Sequence, residues 1–245
     1  MTLGQNWKYM QNIKRTNVVA QCLKSQVRDF WIDIAEIPLD GVLELALKDS
    51  DFLREVPGLK AILASTDLYS AIQSASFLKK YAHFIGQISV EKLTEEDAKN
   101  LDAVLSSPKD IDKIIENTII YIDRYHNELK AKLLGKLFVE TFKHNRFSVK
   151  EYNSLMFSIE QVHPVEGWDC LKEFYEYDQR LIKSSSDQET QDIWAEGAKI
   201  DFQPLLMSGL LKLPSGGSYS GDLGGAFINK KGIKFYEYII KGVLE

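Results

Sequence analysis

The chain has 245 residues, 44% of them hydrophobic and 27% charged, and carries a net charge of −5. This composition weighs against a disordered chain, because enough apolar side chains are present to fill a sizeable core, and the length suits one large domain or two smaller ones. The negative charge weighs against an extended nucleic-acid surface, which needs clustered Lys and Arg.

Cysteine usage and hydropathy predict a cytoplasmic protein. Cys22 and Cys170 are the two cysteines, and so few thiols fit a reduced compartment better than a disulfide-bonded secreted chain. The N-terminus lacks the apolar core of a signal peptide. The longest apolar stretch, Val56–Ile72, is interrupted by Lys60 and Asp67 and is shorter than the roughly 20 residues that cross a bilayer. We therefore predict no transmembrane segment, while peripheral contact with a membrane stays open.

Helical patterns dominate from about residue 17 to about residue 207. Apolar residues recur at three- and four-residue spacing within Ile13–Glu36, and a long apolar segment runs from Pro57 to about Ile88. Two helix starts follow: a capping box at Thr94–Asp97, and Ser107-Pro108, where Ser caps and Pro takes the first helical position.

The next patterns complete a predicted helical bundle. One helix is predicted over Tyr125–Lys143, a second opens at the capping box Ser148–Glu151, and a third spans Trp168–Ile182. The polar run Lys183–Asp187 is the best linker. We predict a bundle domain over residues 1–183 and a second domain over residues 188–245.

Two sets of apolar side chains are predicted to be core rather than functional. The first lies on the two central helices: Leu133, Leu137, Phe138, Phe142, Leu155, Phe157 and Ile159. The second is aromatic: Trp168, Phe174, Tyr175, Tyr177 and Trp194. Residues three or four apart share one face of a helix, so such pairs pack together.

The end of the chain is typical of a winged helix. A helix is predicted from Phe202, with a stop at Ser208-Gly209, and antiparallel strands near Leu210–Leu213 and Gly225–Ile228 precede a closing helix that ends near Ile240. The predicted fold class is therefore mostly α, a helical bundle with a small C-terminal winged-helix-like α/β element. Winged helices bind DNA or pair with proteins.

The Gly/Ser-rich tract Pro214–Gly225 is predicted to be the tip of the hairpin. It contains no Gly-Lys-Ser/Thr leading into a helix and no Gly-x-Gly-x-x-Gly between strand and helix, so a nucleotide-binding loop is disfavoured. A disordered loop is the alternative. Tyr219 at this tip is a candidate contact for a base or for a partner surface.

Three lysines form the candidate nucleic-acid contact: Lys230, Lys231 and Lys234. From Lys199 onward the chain holds six Lys and four acidic residues, a net charge of +2, and no Arg. Because the guanidinium fork of Arg is the usual reader of guanine, a solvated face is favoured over a DNA contact.

No catalytic, cofactor or metal residue is assigned. Asp29, Asp33 and Glu36 share one helical face and could hold a hard cation, but a second acidic helix of matching spacing is missing, which favours an ordinary polar face. The four histidines and two cysteines show no zinc-ligand spacing. A Cys–His pair assembled in space stays open.

The middle of the chain resembles a helical module of poorly characterised bacterial proteins, several of them from phage and abortive-infection gene neighbourhoods. The resemblance covers roughly residues 55–180 and is carried by packing motifs: Phe77–Lys80, Phe84-Ile85, Lys132–Phe138, Phe142, Phe147–Tyr152 and Leu155–Ile159. It implies a role in phage defence or mobile-element biology, and it carries over no catalytic residue.

The function predicted from sequence is a non-enzymatic protein-interaction or sensor protein with a protein partner. The alternative is a winged-helix DNA-binding regulator, and an enzyme with a spatially assembled site is a third hypothesis. Homo-oligomer formation stays open.

Overall fold

A computed structural model of the chain describes residues 68–89, 108–213 and 225–244. The chain forms two compact units, and the division between them falls between Met156 and Phe157. The described part is mostly helical, with a two-stranded antiparallel sheet near the C-terminus, which confirms the predicted mostly α class. The helical pattern before residue 68, the capping box at Thr94–Asp97 and the candidate contact Tyr219 lie outside the described residues.

The described part of the first unit contains α1 (Leu68–Ser89), α2 (Pro108–Arg124), α3 (Glu128–Phe142) and α4 (Val149–Gln161), and the division between the units falls within α4. The sequence predicted the start of α2, at Ser107-Pro108, and the start of α4, at the capping box Ser148–Glu151. Asn127 caps α3 by accepting the Lys130 N–H at 3.1 Å. The predicted capping box opens α4, since the Glu151 carboxylate accepts the Ser148 N–H at 2.8 Å and the Glu151 N–H donates to the Ser148 hydroxyl at 3.2 Å.

Helix α3 packs closely against α1. Gly135 permits this approach, because a Cβ there would lie 2.5 Å from the carbonyl oxygen of Phe84. Phe138 meets the ring of Phe84 edge-on at 5.9 Å and that of Tyr152 at 5.9 Å. These ring contacts join α1, α3 and α4 into one apolar core.

The predicted core of α3 and α4 is confirmed at six of its seven positions. The buried residues are Leu133, Leu137, Phe138, Phe142, Leu155 and Ile159. The prediction is wrong for Phe157, whose side chain is 45% exposed. Leu155 and Ile159 are one turn apart and both face inward, whereas Phe157 lies about 200° around the helix from Leu155. Because Leu155, Met156 and Phe157 are consecutive apolar residues, the sequence did not show which of them faces outward.

The buried ammonium group of Lys80 of α1 binds the carbonyl groups at the C-terminal end of α2. Its Nζ donates to the carbonyl oxygen of Asp123 at 2.6 Å and to that of Tyr125 at 3.0 Å. Both carbonyls lie at the C-terminal end of α2, where the partial negative charge of a helix favours a cation. Burial lowers the pKa of Lys80, and the carboxylates of Asp123 and Glu128 oppose that shift.

The second unit starts with the end of α4 and continues with α5 (Gly167–Lys183) and α6 (Asp187–Gly197). Ser184 and Ser186 cap the facing ends of α5 and α6, so the predicted linker is a short connection between two helices. The domain boundary at residues 183–188 stays a prediction beside the observed division within α4.

The rest of the second unit contains the hairpin. A 3₁₀ turn, Gln203–Leu205, precedes β1 (Leu211–Lys212) and β2 (Phe227–Ile228). The chain closes with α7 (Lys230–Phe235), a π-helical turn (Tyr236–Ile240) and α8 (Lys241–Leu244). The helix predicted from Phe202 is thus reduced to one turn. Gly209 then takes a left-handed conformation with φ of 66°, which ends any helical continuation.

The two strands occupy the predicted positions. Leu211 pairs with Ile228 and Lys212 with Phe227 in antiparallel register. Directly opposite residues of an antiparallel pair point to the same side of the sheet. Leu211 and Ile228 are buried and form the inner side, and exposed Lys212 and half-buried Phe227 form the outer side.

We expect Lys80→Met to destabilise the chain by about 2 kcal/mol, because the methionine keeps the apolar stem but leaves two helix-terminal carbonyls without their charged donor. Lys79→Met is the matched control. Lys79 is exposed and makes one surface ion pair with Glu128 at 3.1 Å, which contributes about 1 kcal/mol or less. Urea unfolding followed by circular dichroism measures both, and equal costs for the two variants would contradict a terminating role for Lys80.

We expect Leu137→Ala to cost about 2–5 kcal/mol, because the Leu137 side chain is fully buried and its truncation leaves a cavity. Phe157→Ala, which removes more atoms from a side chain that is 45% exposed, should cost less than about 1 kcal/mol. The comparison uses the same urea titration. A larger loss from Phe157→Ala than from Leu137→Ala would refute the assigned orientation of α4.

Candidate functional site

The junction between the hairpin and α7 positions the lysines that were candidate contacts. Asn229 caps α7, since its Oδ1 accepts the Gly232 N–H at 2.9 Å and its Nδ2 donates to the carbonyl oxygen of Gly209 at 3.0 Å. Its own N–H donates to the carbonyl oxygen of Leu210 at 3.0 Å. A Cβ at Gly232 would overlap that same oxygen, so glycine is required for α7 to approach β1 this closely.

Lys230, Lys231 and Lys234 lie together on α7 but do not form one exposed surface. Lys230 is exposed, whereas Lys231 and Lys234 are half-buried. The Nζ of Lys231 donates to the hydroxyl of Ser158 at 3.3 Å, and burial lowers the pKa of this ammonium. Lys231 therefore connects α7 to the end of α4 and contributes little cationic surface.

The contact between Lys231 and Ser158 has the composition of a Ser–Lys catalytic pair, in which a desolvated lysine activates a serine. Ser158, however, is 0% exposed. A substrate cannot reach a hydroxyl that is enclosed in this way. The pair is a packing contact, and it does not supply the spatially assembled active site of the third hypothesis.

A second lysine is held by two stacked tyrosines. The rings of Tyr175 and Tyr236 are 4.3 Å apart with an interplanar angle of 21°, and the Nζ of Lys241 lies 4.7 Å from the centre of the Tyr175 ring. The Tyr175 hydroxyl donates to Glu237 at 3.1 Å. Both rings are buried, so this cluster holds the closing helices against α5. Sequence spacing could not reveal it, because Tyr175 is more than sixty residues from Lys241.

On the outer side of the hairpin, the ring of Phe227 lies between two other aromatic rings. Phe227 lies 5.8 Å from the buried ring of Tyr177 and 6.1 Å from the ring of Trp194. Trp194 of α6 is 58% exposed. The core prediction is confirmed for Trp168, Phe174, Tyr175 and Tyr177, and it is wrong for Trp194. On α6 the buried positions are Ile193 and Gly197, and Trp194 lies about 100° away from Ile193.

We define the outer hairpin face as Lys212, Phe227 and Trp194. Lys212 is exposed, and Phe227 is half-buried between Trp194 and Tyr177. An exposed aromatic ring that adjoins a second, half-buried ring is a candidate contact for another macromolecule. The sequence pattern had indicated the hairpin but not this face.

Helix α6 borders the outer hairpin face and is strongly acidic. Its eleven residues include four carboxylates and neither Lys nor Arg; the carboxylates are Asp187, Glu189, Asp192 and Glu196. Glu196 pairs with Arg180 of α5 at 2.7 Å. The electrostatic potential near Trp194 is therefore shaped by negative charge from α6 and by Lys212 from the hairpin.

Metal-binding groups and the thiol of Cys170 are the remaining candidates for chemistry in the described region. Among the described residues, no group of three or more His, Cys, Asp or Glu side chains is arranged to hold a metal ion. Cys170 is buried, its Sγ lies 3.1 Å from the carbonyl oxygen of Asp201, and burial raises its pKa to about 12. That thiol is therefore a poor nucleophile. The carboxylates Asp29, Asp33 and Glu36 lie outside the described ranges.

Comparisons with known proteins give no match to this chain among protein families, curated proteins or solved structures. Within the described ranges, no helix is both long and apolar enough to cross a bilayer.

We expect Asn229→Ala to cost about 1–2 kcal/mol, because it removes both the cap of α7 and the amide bond to Gly209. Asn229→Asp keeps an acceptor for the Gly232 N–H and loses only the donor, so it should retain roughly half of that stability. Urea unfolding followed by tryptophan fluorescence and circular dichroism measures both. Equal loss from Asn229→Asp and Asn229→Ala would mean that the cap contributes little.

Proposed function

We propose that the chain is a non-enzymatic protein-interaction protein whose C-terminal unit is a winged-helix-like module that binds protein. The observation that carries this proposal is the exposed Trp194 on an acidic helix beside the hairpin. The order of elements supports the winged-helix comparison, because α5 and α6 form a helix pair and the hairpin and closing helix follow them.

The charge of α6 opposes a DNA-reading role. In helix-turn-helix folds the second helix enters the major groove, and α6 occupies that position in the α5–α6 pair. A helix with four carboxylates and no Lys or Arg would be repelled by phosphates on both sides of the groove. On the hairpin and α7, Lys212 and Lys230 are exposed, whereas Lys231 donates a hydrogen bond to Ser158. Two exposed lysines give this region little positive charge for phosphate contacts.

The aromatic content of the outer hairpin face supports protein binding. Tryptophan is enriched among the residues that contribute most to protein–protein affinity, and charged groups around it usually fix orientation. Trp194 is supported edge-on by Phe227, and Phe227 in turn packs on buried Tyr177. The exposed ring is therefore preorganised, so binding orders few additional side chains.

The biological setting that we propose is phage defence or mobile-element biology. It rests on the resemblance of residues 55–180 to helical proteins from such gene neighbourhoods. No residue of the outer hairpin face belongs to that region, so the setting and the binding surface are separate parts of the proposal.

We expect the chain to bind mixed-sequence duplex DNA no more tightly than about 10 μM at physiological salt, with a log–log salt slope of about 2 or less, because the net charge of the chain is −5 and that of the segment from Lys199 onward is only +2. Fluorescence anisotropy at two salt concentrations measures this. Sub-micromolar affinity that is lost in Lys230→Ala/Lys234→Ala, but not in the control Lys183→Ala/Lys199→Ala, would establish the DNA-binding regulator instead.

A photo-cross-linking residue, p-benzoyl-phenylalanine, tests the protein-binding surface directly. Placed at Trp194 in cells that express the chain, it should give discrete adducts with protein. The same residue at Lys183, which is also exposed, is the matched control. Equal adduct patterns at both positions, or none at Trp194, would refute binding through this face.

A further inference from the structure

We propose that Trp194 and the acidic helix α6 bind a basic segment of a partner protein, with an Arg or Lys side chain of the partner placed over the indole ring. The inference rests on the proposed function, since it names the chemistry of the partner that this surface takes. Two independent observations lead to it: an exposed ring over which the chain places no cation, and negative charge on α6 that the chain leaves unneutralised.

The indole ring of Trp194 has a face that is open to a ligand. Trp194 is 58% exposed, and its contact with Phe227 is edge-on, with an interplanar angle of 63°. Rings that meet edge-on touch through the edge of one and a single face of the other, so Phe227 leaves at least one face of the indole uncovered. Among the aromatic side chains, the indole face attracts a cation most strongly.

Other exposed edges of the aromatic core already hold a cation from the chain itself. The Nζ of Lys241 lies 4.7 Å from the centre of the Tyr175 ring, and the guanidinium of Arg124 lies 5.5 Å from that of Tyr121. Among the described residues, no Lys or Arg lies over the ring of Trp194 in this way. A cation for this ring therefore has to come from a partner.

Helix α6 carries the negative charge that would attract such a cation. Among the described residues, Glu196 is the one carboxylate of α6 that pairs with a cation, Arg180, at 2.7 Å. Glu189 and Asp192 accept hydrogen bonds from uncharged donors, which leave the negative charge in place. With exposed Asp187, three carboxylates of this one helix stay unneutralised. They favour a basic partner and repel the phosphates of nucleic acid.

The position of Asp187 sets the spacing of the partner's cations. Asp187 precedes Trp194 by seven residues, or two helical turns, so both lie on the same side of α6 and about 10 Å apart along its axis. An extended chain advances about 3.3 Å per residue, so two cations three residues apart span this distance. One of them would lie over the indole while the other pairs with the Asp187 carboxylate.

Lys212 is the cation of the outer hairpin face and gives the sign of the interaction. It is exposed and lies opposite Phe227 in the sheet. Because it repels a basic partner, Lys212→Gln should leave the binding of a basic peptide unchanged or make it stronger. A loss of binding in this variant would indicate an acidic ligand and would overturn the proposal.

Fluorescence anisotropy of a labelled decapeptide, with Arg at every third position and Ser elsewhere, tests the proposal on the full chain. Because the contact is small, we expect a dissociation constant on the order of 100 μM at low ionic strength, weakened by added salt. The same peptide with citrulline in place of Arg keeps the shape and loses the charge, so it should bind at least about tenfold more weakly.

Two variants of the face separate the ring from the charge. Trp194→Leu keeps an apolar side chain but removes the aromatic face, and it should weaken binding of the arginine peptide about threefold or more. Asp187→Asn/Asp192→Asn should weaken it about fivefold or more at low salt. The matched controls are Phe157→Leu, which removes another exposed ring, and Asp169→Asn/Glu173→Gln, which removes two exposed carboxylates of α5. Both controls should bind as the wild-type chain does.

The proposal is overturned if the arginine peptide does not bind, if the citrulline peptide binds equally well, or if Trp194→Leu binds as the wild-type chain does. Equal losses in the controls and the face variants would show attraction to the acidic chain as a whole and would overturn it too. If the arginine peptide fails while position 194 still cross-links to a discrete protein, the proposed function stands and only the basic partner is excluded.

Discussion

The approach of α7 to strand β1 at Gly232 is the contact on which the C-terminal unit depends. Only a residue without a side chain fits against the Leu210 carbonyl oxygen, and this closeness lets Asn229 bond to Leu210 and Gly209. Those bonds hold β2 in register with β1. The register then decides which side chains are inside. A slip by one residue would bury Lys212 and expose Leu211, because successive side chains alternate across a strand.

Two aromatic rings and a lysine occur together twice in this unit, once as a buried cluster and once at the surface. Tyr175 and Tyr236 are stacked and closed over by Lys241, so their attraction for a cation is satisfied within the chain. Phe227 and Trp194 meet edge-on, and exposed Lys212 lies opposite Phe227 in the sheet. The first cluster stabilises the packing of the closing helices on α5. The second leaves aromatic surface available, and this difference in exposure is why only the second is proposed as a binding surface.

Sequence patterns predicted what depends on near neighbours. The capping box at Ser148 and the hairpin strands were legible because their signals lie within a few residues. The exposure of Trp194 could not be predicted from the sequence. Helix α6 is short, and its buried positions are only Ile193 and Gly197, too few to define an apolar face. Lys80 was equally hidden, since its carbonyl partners lie more than forty residues away. Burial of Lys231 against Ser158 likewise required the fold to place α7 beside the end of α4.

The alkylation rate of Cys170 can report on the opening of the C-terminal unit. The thiol of this residue is enclosed next to the Asp201 carbonyl and has a pKa raised to about 12, so alkylating reagents meet almost no thiolate while the unit is closed. Modification at neutral pH is therefore slow while the thiol is enclosed, and a local opening of α5 away from the segment that contains Asp201 speeds it. In a chain with Cys22 replaced by Ser, a slower rate than that of an unstructured peptide reports this protection. A ligand that tightens the unit would then be detectable from its effect on one sulfur atom.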